Sequence, residues 1–215
     1  MTEPARRRRR WPYVLGGAVV VIVTGFQLQR WFFESPSYDV VAEHGAIEIR
    51  RYQPRIVAET TVQADDRQTA TREGFRRLAG YIFGDNAKIS MTTPVEASPA
   101  SERIAMTTPV GSRPSADGWV ITFTMPSSYR LEDLPRPADE RVVLRERAGA
   151  LVASLRFSGR LRRAEYATRK EELLAALPGA GYRAEGEVGT AVYDPPTTVV
   201  GWFRRNEVYV PVAPL

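Results

Sequence analysis

The amino-acid sequence predicts an α+β fold, a pseudo-duplicated distorted antiparallel β-barrel flanked by two helices and preceded by one N-terminal transmembrane helix. The order strand, strand, helix, strands occurs twice along the chain. A shift of 95 residues superposes Ile49–Arg50 on Leu144–Arg145 and Ile56–Ala58 on Leu151–Ala153. Two such units are expected to close their sheets against each other, with one helix per half. An apolar run near the N-terminus precedes both units.

The first unit begins with a strand at Ile47–Tyr52, a turn at Gln53–Pro54 and a second strand at Arg55–Val62. A helix follows, with Asp65–Asp66 as its N-cap and first-turn acids and Gly84–Asn86 as its end. Further strands are expected around residues 88–96, 102–110 and 119–125. The apolar positions of the helix that recur at helical spacing are Phe75, Leu78, Ala79 and Ile82.

The second unit repeats this order. A strand at Arg141–Arg147, a turn at Ala148–Gly149 and a strand at Ala150–Phe157 form another strand pair. A helix spans about Arg162 to Leu177, and Pro178–Gly179 stops it. Strands are expected near residues 187–193 and 207–212. The residues that this helix is expected to bury are Tyr166, Leu173, Leu174 and Leu177.

The composition excludes several classes of site and partner. The 215 residues contain no cysteine, which excludes disulfides, thiol nucleophiles and cysteine-ligated metals or clusters. The single histidine, His44, excludes a histidine-rich metal site. The formal net charge is +5, but six arginines and two glutamates give residues 1–37 most of that excess. The rest of the chain has no basic surplus for a nucleic acid, so no nucleic-acid partner is expected.

The N-terminus predicts a membrane anchor. Residues 1–10 form a basic cytoplasmic tail, residues 11–33 a transmembrane signal anchor, residues 34–37 a polar linker and residues 38–215 the folded domain. Arg6–Arg10 would hold the N-terminus in the cytoplasm, which makes the protein single-pass in the cytoplasmic membrane with an extracytoplasmic C-terminal domain. The alternative is a cleaved secretory signal with a 12-residue apolar stretch.

One motif is repeated at a spacing of 15 residues. Lys88–Val95 and Arg103–Val110 both contain Met-Thr-Thr-Pro-Val, and seven residues separate the copies. We expect the copies to pair as a hairpin, with Met91 and Met106 on matching faces. These methionines are either core filler or the lining of a pocket for a flat apolar ligand.

A second motif joins Tyr193–Pro196 to Arg204–Val208. Its two prolines indicate a rigid loop, and its polar residues open the final strand. In a structural reading Glu207 pairs with an arginine and Asn206 caps the turn. As catalytic material the segment lacks a nucleophile and a tuned base.

These segments resemble the SOUL haem-binding proteins, and the resemblance runs over about residues 38–212. It is carried by Arg72–Tyr81 with Gly84–Asn86, by the Met-Thr-Thr-Pro-Val block and by Tyr-Asp-Pro-Pro followed by Arg-Arg-Asn-Glu-Val. The doubled block resembles the prokaryotic members. The resemblance implies a distorted barrel flanked by two helices, and tetrapyrrole binding without catalysis.

The family resemblance also implies a site, a shallow apolar groove between the first helix and the loop before the last strand. Two departures are present: lysines that could meet propionates in relatives are replaced by Gly80 and Thr197–Val199, and a proposed iron-ligating histidine is replaced by Arg51. His44 is expected to be a solvated turn residue. The helix positions are Arg72, Phe75 and Ala79, and the loop contributes Tyr193, Pro195, Pro196 and Thr198.

The residues themselves agree with a weak haem site. A haem needs an apolar slot and cations for two propionates, and an axial donor is optional. Arg72 and Arg76, one helical turn apart, could hold the propionates. No residue is assigned to a metal, which favours weak, surface-type binding that tolerates metal-free porphyrin. The residues that could form the slot are Phe75, Ala79, Ile82 and Phe83.

The predicted function is therefore a membrane-anchored haem or tetrapyrrole binder that acts as carrier, buffer or sensor and is not an enzyme. The alternative is a general module of the same fold that binds other apolar or cationic small molecules. A hydrolase is a further alternative, but the sequence has no Gly-x-Ser-x-Gly elbow and no acid partner for His44. Protein partners are not predicted.

Overall fold

The computed structural model describes residues 33–89, 99–194 and 201–215, which contain thirteen β-strands and two α-helices. Helix α1 (Arg67–Phe83) follows the third strand, and helix α2 (Arg163–Ala176) follows the tenth. The strands are β1 Tyr38–His44, β2 Ile47–Tyr52, β3 Arg55–Val62, β4 Asn86–Ile89, β5 Pro99–Ala100, β6 Val110–Ser115, β7 Gly118–Thr124, β8 Arg136–Pro137, β9 Val143–Arg147, β10 Ala150–Ser158, β11 Tyr182–Ala184, β12 Gly189–Val192 and β13 Arg205–Pro214.

The main sheet is antiparallel and has a two-fold pattern. Its strand order is β1-β2-β10-β13-β12-β6-β7-β3-β9, and β11 pairs with β13 outside this path. Between β2 and β9, each strand has a counterpart at the same distance from the opposite end of the order. These counterparts are β2 and β9, β10 and β3, β13 and β7, and β12 and β6. This order agrees with the duplication predicted from the sequence. The described strands β5, β4 and β8 form a separate small sheet.

The predicted pairing of consecutive strands is wrong. β2 pairs with β10 and β3 pairs with β9, so each strand pairs with the opposite half of the chain. The register is unbroken across the two links, because Tyr52 lies opposite Ala150 and Arg55 lies opposite Arg147. Only two residues separate β2 from β3, and only two separate β9 from β10. The predicted turns are therefore bends in two long extended segments.

These bends explain why the sheet curls. β2 and β3 lie near opposite ends of the strand order, yet only Gln53–Pro54 joins them. The three residue steps from Tyr52 to Arg55 span at most about 11 Å, so the two ends of the sheet must lie close together. Gly149 lies so close to the backbone of Tyr52 that an added Cβ would be 2.9 Å from its carbonyl oxygen. The predicted barrel is thus a curled antiparallel half-barrel.

Side-chain alternation divides the sheet into two chemically different faces. One face is apolar and packs against the helices, α1 on β3 and β7 and α2 on β10 and β13. The core under α1 includes Ala58, Leu78, Tyr81, Ile82, Ile121 and Phe123. The core under α2 includes Ile49, Ala153, Leu155, Leu173, Leu177, Val208 and Val210. The intervening residues of the same strands point to the opposite, polar face.

The predicted N-cap and C-terminal end of α1 are confirmed, but the predicted first-turn acids are not, because Asp65 precedes the cap and the first turn contains no acidic residue. The Asp66 carboxylate accepts hydrogen bonds from the backbone N–H groups of Gln68 and Thr69, at 2.8 and 3.0 Å. At the other end Gly84 has a φ of 129°, a conformation that favours glycine, and its N–H bonds to Gly80.

The buried side of α1 differs from the predicted one. Gly74 and Tyr81 lie on the buried side together with Leu78 and Ile82, whereas Phe75 is 38% exposed. A Cβ at Gly74 would overlap the side chain of Ile121. The helix therefore contacts β7 at Gly74, which turns Phe75 toward solvent.

Helix α2 lies where the sequence predicts it. Leu173 and Leu177 are buried, whereas Tyr166 and Leu174 are partly buried. The Tyr166 hydroxyl donates to the Val188 carbonyl at 2.7 Å, which ties the helix to the chain just before β12. A 3₁₀ turn at Pro178–Ala180 follows the helix, in agreement with the predicted stop.

The first copy of the repeated motif is described only at Lys88 and Ile89, and within the described residues the two copies do not pair as the predicted hairpin. β4 pairs with β5, which lies in the segment between the two copies. In the second copy only Val110 is part of a strand, and it pairs with β7 and β12. Met106 is partly buried against the core under α1, which confirms the core-filler interpretation for this methionine. Met91 lies outside the described residues.

Strand β1 has no counterpart among the predicted elements. Its sequence, Tyr-Asp-Val-Val-Ala-Glu-His, does not alternate, and its pairing with β2 shifts between Val40 and Ala42. Glu34 and Ser35, assigned to the linker, bond to the domain: Glu34 accepts from the Ser127 N–H at 2.9 Å. The predicted transmembrane segment lies outside the described residues, apart from Phe33. Within the described ranges neither helix has the length and apolarity to cross a membrane.

We predict that Gly74→Val destabilises the protein by about 1–3 kcal/mol, because the new side chain must displace Ile121. Urea unfolding followed by circular dichroism measures this change. Gln68→Ala, at an exposed position of α1 whose side chain takes no part in the cap, is the control and should change stability by less than about 0.5 kcal/mol. Equal stability of Gly74→Val and wild type would contradict the observed contact between α1 and β7.

Candidate functional site

The outer side of α1 carries most of the predicted helix positions. Phe75 and Phe83 are 38% and 56% exposed, and Ala79, one turn from each, is partly buried. Arg72 and Arg76 are exposed on the same helix. The structure thus brings two aromatic side chains, a small residue and two cations to one solvent-facing surface.

Two of the predicted slot residues have distinct surroundings. The Phe75 ring packs edge-on against Phe123 of β7, with ring centroids 5.4 Å apart, and this contact fixes its position. Ile82 is 1% exposed and belongs to the core. Ile82 therefore supports the helix from below, and Phe75, Ala79 and Phe83 form the exposed surface.

The cations on α1 differ in how far their charge is balanced. Arg76 pairs with Glu73 at 2.5 Å, and Arg77 bonds to the same carboxylate at 3.1 Å. Arg77 also donates to the Thr61 carbonyl, which holds it against β3. Arg72 makes no ion pair within the described parts of the chain. Of the two predicted propionate partners, Arg72 is the one with an unpaired charge.

The predicted loop is described only at its two ends. Pro195, Pro196 and Thr198 lie outside the described residues. The Tyr193 hydroxyl donates to Glu207 at 2.9 Å, so this side chain belongs to the polar face of the sheet. The carboxylate of Asp194 accepts the Arg205 N–H at 2.6 Å and holds the start of the loop on β13.

Two aromatic residues after this loop were missed by sequence reasoning. Trp202 and Phe203 are 83% and 73% exposed and come directly before β13. Large exposed aromatic side chains are uncommon and indicate contact surfaces. Their signal in the sequence was weak, because a Gly-Trp-Phe segment is equally typical of a buried strand end.

A buried charge network occupies the polar face of the sheet. Glu207, 1% exposed, accepts hydrogen bonds from Arg50 at 2.7 and 3.2 Å and from Arg205 at 2.7 Å. Ser154 and Tyr193 donate to the same carboxylate, at 3.1 and 2.9 Å. This confirms the structural interpretation of Glu207 as an arginine partner.

The network sets the ionisation of its members. Burial alone would raise the pKa of Glu207, but the hydrogen bonds and charges of Arg50 and Arg205 outweigh it and hold this pKa at about 2. Burial, together with the Glu207 charge, raises the pKa of Tyr193. At neutral pH the network therefore contains a carboxylate, two guanidinium groups and a neutral phenol.

His44 lies apart from α1, as the last residue of β1. It is exposed and packs beside Gly179, where an added Cβ would be 2.9 Å from its Nε2. This confirms its predicted place at a solvated turn. Within residues 33–89, 99–194 and 201–215, no three acidic or histidine side chains come together as a metal site would require.

We predict that Glu207→Gln destabilises the protein by about 3–5 kcal/mol at pH 7, because it removes the buried counter-charge that Arg50 and Arg205 share and leaves Arg50 only the partly exposed carboxylate of Glu48. The stabilisation from a lowered carboxyl pKa is complete above the unfolded value, about 4.3, and is lost as pH falls through about 2. The stability difference between wild type and variant should therefore shrink between these pH values. Urea unfolding at a series of pH values measures it.

Glu165→Gln is the control for this experiment, because Glu165 pairs with Arg169 on the exposed side of α2. Its effect should stay below about 0.5 kcal/mol. A pH-independent difference for Glu207→Gln, or equal losses in the two variants, would contradict the assigned network.

Comparison with known proteins adds to this geometry. The family model described as SOUL heme-binding protein matches residues 33–211. The chain is 31% identical to Heme-binding protein 1 of Mus musculus over 156 residues, 70% of this chain and 76% of that protein. It is 30% identical to Heme-binding protein 2 of Homo sapiens over 187 residues, 80% of each chain.

Solved structures with a similar fold are more distant in sequence. The EcmrR C-terminal domain matches with a TM-score of 0.55 at 10% identity, over 83% of this chain and 99% of that one. An uncharacterized conserved protein from Listeria innocua matches with a TM-score of 0.52 at 14% identity, over 80% and 94%. At these identities the likeness concerns the fold alone. The sequence matches, in contrast, extend over most of the described domain, and the chain belongs to the SOUL heme-binding protein family.

Proposed function

We propose that this protein binds haem or a metal-free porphyrin weakly on the outer side of α1 and acts as a carrier, buffer or sensor without catalysis. The observation that carries the proposal is an exposed aromatic surface at the helix that the family resemblance indicates. Phe75 and Phe83 are both exposed there. Relatives at about 30% identity are named heme-binding proteins.

The spacing on α1 suits a flat ligand. Phe75, Ala79 and Phe83 follow one another at intervals of four residues, so they lie along one side of the helix. The two phenylalanines are about 12 Å apart along the helix axis. The small Ala79 leaves a shallow floor between two aromatic side chains, against which a tetrapyrrole plane can lie.

The charges on α1 suit the ligand's propionates. Arg72 lies one turn before Phe75 and makes no ion pair within the described residues, so its guanidinium is available for a carboxylate. Arg76 is already paired with Glu73 and contributes less. One strong cation and no axial ligand at the helix favour weak binding that does not depend on iron.

We further propose that residues 11–33 anchor the protein in the cytoplasmic membrane. Arg6–Arg10 precede the apolar run, which favours a cytoplasmic N-terminus and an extracytoplasmic domain. In this arrangement the domain binds tetrapyrroles on the extracytoplasmic side of the membrane. A nucleic-acid partner is not part of the proposal.

We predict that Arg72→Glu weakens haem binding by about 1–3 kcal/mol, because it removes a charge-assisted hydrogen bond and adds repulsion. Arg76→Glu should weaken it less, since Arg76 already has Glu73 as a partner. Titration of the full-length protein with haem, followed in the Soret band, measures both.

His44→Ala is the control for the haem titration, because His44 lies beside Gly179 after α2. It should leave the Soret band and the affinity nearly unchanged. Unaltered affinity in Arg72→Glu would move the site away from α1. A shifted Soret band in His44→Ala would instead identify this histidine as an iron ligand.

We predict that protease added to intact spheroplasts digests the domain, because the five arginines keep the N-terminus inside. Immunoblotting of the domain measures this. Replacement of Arg6–Arg10 by neutral residues should reduce the digestion or invert the orientation. Protection of the domain in the wild type would overturn the proposed topology.

A further inference from the structure

A cavity of about 300 Å³ lies on the polar face of the sheet, away from both helices. Its lining residues alternate with core residues: Val57 lies between Ile56 and Ala58, which face α1, and Pro211 lies between Val210 and Val212, which face α2. The volume is at the lower end for small-molecule sites. The site proposed for haem lies on the opposite side of the sheet.

Three arginines line this cavity, and they differ in their partners. Arg147 forms an ion pair with Glu59. Arg55 and Arg113 form no ion pair in the described part of the chain. Glu207, which also lines the cavity, is already bonded to Arg50 and Arg205. The cavity therefore has a surplus of positive charge.

Arg55 is the cation of this cavity that has a buried nitrogen without a partner. Its Nη1 is buried and has no hydrogen-bond partner within the described residues. Its guanidinium lies over the Tyr52 ring, 4.8 Å from the centroid, which is a weak interaction compared with a carboxylate. Burial lowers the pKa of Arg55, and the nearby Arg147 charge acts in the same direction.

A buried guanidinium nitrogen without a hydrogen-bond partner is costly, because it loses its contacts with water and most buried donors in native proteins have a partner. Replacing Arg55 by a neutral residue would remove this desolvation cost. An uncompensated cation that faces a cavity is consistent with a partner that comes from solution. The planar guanidinium suits a carboxylate, which accepts two parallel hydrogen bonds.

The cavity adjoins a larger groove and has apolar walls. Arg55 and Arg147 line a second, larger groove of about 770 Å³, whose other lining residues include Ser37, Gln53 and Arg130. Inside the cavity the side chains of Val57 and Val152 and the ring of Pro211 provide an apolar surface. An inorganic anion would leave that surface without a contact.

We propose that this cavity is a second binding site, which takes a small organic carboxylate with an apolar body. The carboxylate accepts hydrogen bonds from Arg55, close to Arg113, and the body packs against Val57, Val152 and Pro211. Because the two sites lie on opposite sides of the sheet, this binding does not depend on the tetrapyrrole site.

Thermal unfolding and isothermal titration of the full-length protein test the proposal, with benzoate as the probe. Inorganic phosphate and benzylamine test anion type and charge, and sodium chloride matches ionic strength. We expect saturable stabilisation by benzoate, much weaker stabilisation by phosphate and none by benzylamine. Loss of a hydrogen-bonded cation should reduce benzoate affinity about tenfold or more in Arg55→Gln.

Arg55→Gln has a second expected signature. Without ligand it should melt at the same temperature as wild type or higher, because it removes an uncompensated buried charge. A purely structural arginine would give a lower melting temperature. Arg156→Gln, at an exposed position of β10 that does not line the cavity, is the matched control and should bind benzoate like wild type.

Arg55→Lys keeps the charge and covers the case in which Arg55→Gln fails to fold. It should bind benzoate severalfold more weakly, because lysine cannot form the two parallel bonds. The proposal is overturned if benzoate does not stabilise the wild type, or if phosphate or benzylamine stabilises it equally. It is also overturned if Arg55→Lys, or a folded Arg55→Gln, binds benzoate as tightly as wild type.

Discussion

The ion pair between Arg50 and Glu207 is the interaction on which the polar face of the sheet depends. It joins β2 of the first half to β13 of the second, at 2.7 Å, and both side chains are almost fully buried. Arg205 forms an ion pair with the same carboxylate, and Arg50 has a second, partly exposed partner in Glu48. The helices cover the apolar side of the sheet, so the side chains of the strands themselves line its other side. Here those side chains are charged, and their geometry must be satisfied together.

A continuous strand register also joins the two halves of the sheet. β2–β3 and β9–β10 are two bent segments that pair along their whole length, so neither half can complete its sheet alone. The two-residue links bring opposite ends of the sheet together. Duplication has thus produced one interlocked sheet, and a change at Glu207 is felt in both halves.

The local elements could be predicted from the sequence, but the pairing and the site could be predicted only in part. Hydrophobic period, the Asp66 cap and the Gly84 end define α1, and these signals act within one segment. The predicted pairing of consecutive strands, such as β2 with β3, was wrong, although the sequence contains a signal against it. A tight two-residue hairpin favours positive φ at its central residues, and Pro54 in Gln53–Pro54 cannot provide it. The exposure of Phe75 could not be predicted, because it results from a contact between Gly74 and Ile121, which are far apart in the sequence.

Arg55 could not be recognised from sequence at all, because the absence of a counter-charge is a property of the folded sheet. In the chain it is one of thirty basic residues, and it opens a strand in which alternate positions are apolar. In the folded protein Arg55 lies on the polar face of the sheet. The buried carboxylate of that face, Glu207, is already paired with Arg50 and Arg205. The same sheet that presents an aromatic helix surface on one side therefore leaves an uncompensated cation on the other. Surfaces of such different chemistry select different ligands, and a fold built in this way can bind two without competition between them.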